Sequence, residues 1–418
     1  MIVRHEEEND ANSAWHALMV YGGWKEKARA DLHNSNKERS NAGFSVYQRH
    51  IPTVLWHSPL QNVSGYATEQ THFLNALKPY PFHIRLVPLD RSDSPNDDSA
   101  EDRNLSQKTI PDEPFIHYQA APAHLFVPSK APLSVGRTMF ETDRLPSEWV
   151  VRLNEMTEIW VPSRFNQETF IRSGVNEKKI RIVPGTLDES VYSRDRVNPY
   201  PLDVARRFRF LSIFDWSIRK GWDVLLRAYM ETFNSLDDVS LILKISRINE
   251  PHANVHDEIH RMKSKLGLSS FPHIIVLDSR MTEEEMIRLY AACDAFVLPT
   301  RGEGWGRPFM EAMAMQMPVI GTNWSGQLEF MYSENSYLID VERLSPVPDT
   351  MPPHFHGHLW AEPSTEHLKQ LMQYVVQHPE EARAKGRLAR ESLFPKYSLQ
   401  QTGRRLYKSF RDLICNFV

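Results

Sequence analysis

Cysteine is almost absent from this chain: two occur in 418 residues, Cys293 and Cys415. Two cysteines without metal-ligand spacing exclude a disulfide-stapled scaffold and a cysteine-built zinc site. They fit a reducing, cytoplasmic setting. Long apolar runs are missing too. None approaches the ~20 residues needed to cross a bilayer, and the polar start, Met1 to Asp10, lacks the apolar core of a signal peptide. An excess of positive charge is also lacking: 49 Lys and Arg stand against 53 Asp and Glu, a net charge of −4. Nothing therefore points to a nucleic-acid partner. What remains is ordinary globular composition, 41% hydrophobic and 24% charged, long enough for two or three domains of ~150 residues each.

The organisation is a repeated β/α rhythm. Residues 1–50 form a polar N-terminal extension of unknown role. Its basic residues Lys25, Lys27, Arg29, Lys37 and Arg39 would suit anionic lipid, but Glu26, Asp31 and Glu38 interleave with them, so a solvated face is expected and membrane association has no support. From residue 51 to 195 the pattern predicts strands over Ile51–Trp56, His83–Leu89, Phe115–Tyr118, Leu133–Phe140, Glu158–Pro162 and Lys179–Pro184, with helices over Thr68–Leu77 and Phe165–Ser173. Arg91 to Asn104 is acidic and Ser-rich, an exposed loop. A connector carrying Pro199 and Pro201 follows. A second unit, 196–395, repeats the rhythm from Phe208 to Gly321, before a Pro- and His-rich insertion at 346–358 and terminal helices. Residues 396–418 are expected to pack back on the first unit. Strands alternating with helices predict α/β architecture: two doubly wound, Rossmann-like parallel sheets with a ligand cleft at their carboxyl ends.

The densest chemistry is the string Arg301-Gly-Glu-Gly-Trp-Gly-Arg-Pro-Phe-Met-Glu311, after the strand Ala295–Leu298. Pro308 suits a helix start, which places Glu303 in the glycine loop and Glu311 in the first helical turn. Phe309, Met313 and Met317 form a buried stripe, and Glu311 lies roughly 200° away from Phe309. Two free carboxylates beside a helix N-terminus suit a polyol that carries an anionic group. Arg219 and Lys220 sit in a turn after the first strand of the second unit, where a cation can offset charge on a departing phosphate. Ser325 and Gly326 would open a further helix toward an anion. In the first unit, Gly65 permits close backbone approach, Glu141 ends a strand at the cleft, and His117 ends another.

Glu303 and Glu311, with the glycines 302, 304 and 306, resemble the Glu-x7-Glu signature of family 4 retaining glycosyltransferases, which have the GT-B fold: two Rossmann-like domains facing across a cleft. The resemblance covers roughly residues 50–410 and is specific in the second half. It implies that Glu303 holds the donor sugar, Glu311 the nucleotide ribose, and Lys220, with Arg219, the diphosphate. Gly304, Trp305, Gly306, Ser325 and Gly326 complete the implied donor site, and Gly65 and His117 the acceptor and phosphate side. Trp160 to Ser163 and Pro184-Gly185 match packing and hinge landmarks. The chain departs from the family twice. Phe214-Asp215-Trp216-Ser217 replaces the usual Gly-Arg, and Glu141 stands where many relatives have a sugar-contacting His.

The implied reaction moves a hexosyl group from a nucleotide diphosphate sugar to an acceptor hydroxyl with retention, Glu303, Lys220 and Glu141 carrying the chemistry. No cofactor and no metal is expected, as no Asp-x-Asp stands at a strand end. The acceptor class, sugar and base are open. The alternatives are a GT-B-fold sugar-nucleotide epimerase or hydrolase, and an inactive glycosyltransferase-like subunit. An NAD enzyme is disfavoured because no Gly-x-Gly-x-x-Gly follows the first strand of either unit.

Overall fold

The computed structural model describes residues 53–60, 64–89, 115–202, 206–248, 250, 252–270 and 272–417. The N-terminal extension and the acidic loop after Asp90 lie outside the described residues.

Two six-stranded sheets form the two lobes. The first contains β1 (Thr53–Ser58), β2 (Ile84–Pro88), β3 (Phe115–Ala120), β4 (Leu133–Arg137), β5 (Glu158–Val161) and β6 (Ile180–Ile182), in the order β2-β1-β3-β4-β5-β6. The second contains β7 (Phe208–Asp215), β8 (Val239–Ser246), β9 (His273–Leu277), β10 (Ala295–Leu298), β11 (Val319–Thr322) and β12 (Tyr337–Ile339), in the order β12-β11-β10-β7-β8-β9. Every pairing within them is parallel. Central strands such as β8 read as apolar runs because helices cover both faces; all of Val239–Ile245 is buried. Both orders are doubly wound: connections reverse direction between β1 and β3 in the first sheet and between β7 and β10 in the second. Ligands of such sheets bind outside the strand ends at that reversal.

Helices alternate with these strands. The first lobe carries α1 (Gly65–Leu77), α2 (Ser147–Glu155) and α3 (Arg164–Arg172). The second carries α4 (Trp222–Thr232), α5 (Val255–Lys265), α6 (Glu283–Ala291) and α7 (Arg307–Ala314). Helix α1 starts at Gly65, not at Thr68, because the Ser64 hydroxyl caps the Ala67 N–H at 3.2 Å. Helix α2 was not expected; its half-exposed face carries too few apolar residues for a clear period. In α7 the predicted stripe of Phe309 and Met313, with Met317 beyond the helix, is fully buried.

The Pro- and His-rich insertion is the tip of an antiparallel hairpin, β13 (Val341–Pro346) and β14 (Leu359–Pro363). The sequence reading had no strands there, since outward-facing polar residues mask the alternation. Its tip reaches into the first lobe. Phe355 stacks on Phe140 with ring centroids 5.0 Å apart, the Thr142 hydroxyl meets His358 Nδ1 at 2.8 Å, and the Asp143 and Leu359 backbones bond reciprocally through the Asp143 N–H and carboxylate. Three helices close the described chain: α8 (Thr365–Gln377), α9 (Pro379–Tyr397) and α10 (Leu399–Phe417). Helix α10 crosses to the first lobe, where Leu406, Phe410 and Leu413 join Val54, Trp56, Tyr118 and Trp160 in one core.

Candidate active site

The loops after β7 and β10 meet where the strand order reverses. After β7 a single 3-10 turn, Ile218–Lys220, ends at Gly221. After β10 comes the glycine string. Lys220 Nζ donates to Glu303 Oε1 at 2.5 Å, and the Thr300 hydroxyl donates to the same oxygen at 3.0 Å. Arg219 lies 3.8 Å from Glu303 and donates from Nη1 to the Gly302 carbonyl at 2.6 Å. Glu303 is only 6% exposed. Burial works to raise its pKa, but Lys220 and Arg219 outweigh it and hold the carboxyl below the usual carboxylate range. Burial, helped by Arg219, pulls the Lys220 ammonium below its usual value while Glu303 resists.

The first lobe supplies the opposite wall. Glu141 Oε1 stands 3.6 Å from Arg219 Nη2. A Cβ built on Gly302 would come within 2.0 Å of the Glu141 carbonyl oxygen, so only glycine lets the two lobes touch here. Gly306, at φ +89°, occupies the left-handed region as the cap of α7.

Residues 205–346 match the model of the family described as Glycosyl transferases group 1. HepE of Anabaena, solved with UDP and glucose, superposes with a TM-score of 0.61 at 14% identity, over 87% of this chain and all of that one. Sucrose-phosphate synthase of Thermosynechococcus elongatus does so at 0.61 and 15%, over 88% of this chain and all of that one. The fold is GT-B. A curated protein of Sulfolobus islandicus filamentous virus, named as a glycosyltransferase, is 22% identical over 255 residues, 59% of this chain. The chain spans 66% of the length of that relative, just under two thirds.

Within the GT-B cleft the expected residues fall into two groups. Glu141, Arg219, Lys220 and Glu303 converge. Glu311 belongs to a second cluster: Arg307 Nη2 donates to its Oε1 at 3.0 Å and the Tyr290 hydroxyl donates to its Oε2 at 2.9 Å. Neither carboxylate is free, contrary to expectation, because each is neutralised by a cation from its own lobe. Helix α7 begins at Arg307, so Pro308 is its second residue and Glu311 sits in the second turn, not the first.

Three other expectations need correction. Ser325 and Gly326 do not open a long helix; Gly326–Glu329 is one 3-10 turn. The Gly326 N–H donates to the Glu303 carbonyl at 2.9 Å, and the Glu303 N–H to the Ser325 hydroxyl at 2.9 Å. The pair clamps the Glu303 backbone and its Gly326 N–H is already used. Trp305 turns into the core, 2% exposed, against Phe330 and Tyr397; a Cβ at Gly185 would strike its ring. His117 is 5% exposed, meets the Ser129 hydroxyl at 3.1 Å and stacks on His57. Burial, then His57, pushes its pKa down to about 4, so it is neutral at pH 7. Gly304 packs on Met139, and Gly65 begins α1 on the cleft side, facing Arg307 across a gap of 3.9 Å from its would-be Cβ.

Sequence reasoning missed the residues that hold this frame. Arg301, 5% exposed, forks onto Asp223 (2.8 and 2.9 Å) and Glu362 (2.9 and 3.1 Å) and donates to the Ile218 carbonyl at 2.6 Å. It ties the glycine loop to the Lys220 turn and to the hairpin. Arg137 makes a buried two-bond pair with Glu69 of α1, at 2.6 and 3.1 Å. These partners lie 61 to 83 residues apart, beyond any local pattern. Arg301 was quoted at the head of the signature; a charged residue just inside a glycine loop was the available signal.

Proposed function

We propose that the protein is a retaining glycosyltransferase that moves a hexosyl group from a nucleotide diphosphate sugar to an acceptor hydroxyl, without a divalent metal. One observation carries this reading: the Lys220–Glu303 pair, with Arg219 beside it, stands at the strand reversal of the second GT-B lobe. The match of residues 205–346 to group 1 glycosyltransferases supports it, as does the likeness to HepE, solved with UDP and glucose.

Lys220 and Glu303 satisfy each other's charge. A donor diphosphate takes over Lys220 and Arg219, whose charges balance the negative charge gathering on the leaving nucleotide; one such donor is worth ~3 kcal/mol of barrier. Glu303, released from Lys220, accepts hydrogen bonds from the sugar hydroxyls and fixes the ring. Glu141 steadies Arg219 from the first lobe and lines the sugar subsite where a histidine would otherwise sit. The donor's own phosphate removes the acceptor proton, so no side-chain nucleophile is required. Glu311, held by Arg307 and Tyr290, faces the nucleotide ribose. Contact between residues 139–141 and 302–304 shields the reacting carbon from water.

The test is nucleotide release from a panel of UDP-, GDP- and ADP-sugars by the wild type, Glu303→Ala and Lys220→Ala, with proton NMR of the product's anomeric configuration. Wild-type turnover with retention, lost in both variants, is expected. Equal turnover in all three proteins, or inversion, refutes the assignment. A changed free donor without acceptor identifies an epimerase instead.

A further inference from the structure

Beside the Arg219 and Lys220 turn, Phe214-Asp215-Trp216-Ser217 replaces the Gly-Arg of the family that the chain resembles, so that arginine is missing. Trp216 stands in its place, 1% exposed and stacked on Trp222 at 4.7 Å, and Asp215 accepts from the Ser246 hydroxyl and the Ile248 N–H. Arg219 is largely engaged by the Gly302 carbonyl, Glu303 and Glu141. A third cation faces the seam. The Arg307 side chain is 11% exposed, its Nη2 donates to Glu311 at 3.0 Å, and its Nη1 is buried with no hydrogen-bond partner among the described residues. Its Cδ lies 3.9 Å from the position of a Cβ on Gly65, so the stem runs against the first lobe's glycine turn.

A buried guanidinium arm without an acceptor is costly; Glu283 reaches Arg307 only through longer-range charge, and the nearer groups are already engaged. Glu69 on α1 is already gripped by Arg137 through two bonds. His72 on the same helix has its Nδ1 at the Thr186 carbonyl, 3.2 Å away. Tyr192 and Tyr290 gather around Glu311. An anion entering between Gly65 and Arg307 would satisfy the arm. The planar fork of arginine serves two acceptors at once. In a nucleotide, ribose and first phosphate are covalent neighbours, and Glu311 faces the ribose.

We propose that Arg307 is a third diphosphate-binding cation of this site, its Nη1 taking a phosphate oxygen while its Nη2 orients Glu311 toward the adjoining ribose. The inference rests on the function proposed above and adds a residue outside the β7 turn to those that hold the anionic half of the donor.

Isothermal titration calorimetry with UDP, GDP and ADP identifies the tightest diphosphate, and the matching nucleoside is then titrated beside it. Arg307→Met weakens the diphosphate about 10- to 100-fold more than it weakens the nucleoside, an excess the size of one charge-assisted hydrogen bond; Arg307→Lys falls between. Glu311→Gln weakens both ligands alike. Equal weakening of both ligands by Arg307→Met, which a residue that merely holds Glu311 would give, overturns the inference, as does unaltered diphosphate affinity. If Arg307→Met does not fold, Arg307→Lys carries the same comparison, and a nucleoside loss equal to the diphosphate loss counts against it. Wild type that binds none of the three diphosphates removes the proposed function as well.

Discussion

Glu303→Gln, Lys220→Met and their combination form a cycle whose outcome is set by which charges remain. Without the Glu303 carboxylate, Lys220 stays buried beside Arg219, and Glu141, 3.6 Å from Arg219, is the nearest ion-pair acid left. Removing one partner of a buried ion pair costs 3–5 kcal/mol; with these side chains 8–12% exposed, about 3 kcal/mol is expected. Lys220→Met is milder, about 1–2 kcal/mol, because Arg219 at 3.8 Å and the Thr300 hydroxyl still face Glu303. The double variant leaves no orphaned charge and should cost little more than Lys220→Met alone, a coupling of about 3 kcal/mol. Urea denaturation followed by tryptophan fluorescence at pH 7 measures it. Catalysis is not rescued in parallel: Lys220→Met and the double variant both lose about 10²- to 10³-fold in kcat. Strictly additive stability losses would refute the claim that the pair neutralises itself.

The structure makes three further predictions. His117 and His72, each nearly buried with a pKa pushed from 6.5 to about 4, bind protons in the unfolded chain before the folded one; stability therefore falls as pH drops from 6.5 toward 4, by up to about 3 kcal/mol per histidine. Chemical denaturation across that range, with His117→Gln flattening the slope, checks the sign. Gly302→Ala places a methyl group against the Glu141 carbonyl; about 1–3 kcal/mol of strain and a collapse in turnover are expected, and wild-type activity would disprove the close approach. Phe355→Ala empties the seat against Phe140 at a cost of about 3–5 kcal/mol; calorimetry should then resolve lobe transitions that coincide in the wild type.

The two-lobe architecture could be read in advance because parallel strands announce themselves locally. Runs such as Val239–Ile245 are apolar but for Ser240 and Lys244, and each is followed by a turn and an amphipathic helix. The glycine string was equally visible, since Gly302 and Gly306 are required by backbone contact and by a positive φ that no other residue tolerates well. Charge pairing was not visible. Glu303 and Lys220 lie 83 residues apart, and nothing near either shows that each is the other's counter-ion. The same distance hid the Arg301 fork. Trp305 was misplaced for a different reason: an aromatic in a glycine loop looks like a ligand platform until the side chains of Phe330 and Tyr397 are seen to receive it. The 346–358 insertion looked like a loop because Pro and His interrupt the alternation, while its seat in the other lobe is made by the scattered residues Val347, Met351, His354, Phe355 and His358.

Helix α10 has a consequence for biogenesis. Its Leu406, Phe410 and Leu413 belong to the core built on Trp56, Tyr118 and Trp160, yet they are translated after the whole second lobe. The lobe whose strands emerge first from the ribosome is thus the one completed last, and it must carry an open apolar groove while some two hundred residues follow. A chain arranged this way is most exposed to aggregation late in synthesis, and cutting it between lobes yields one fragment that lacks its own lid.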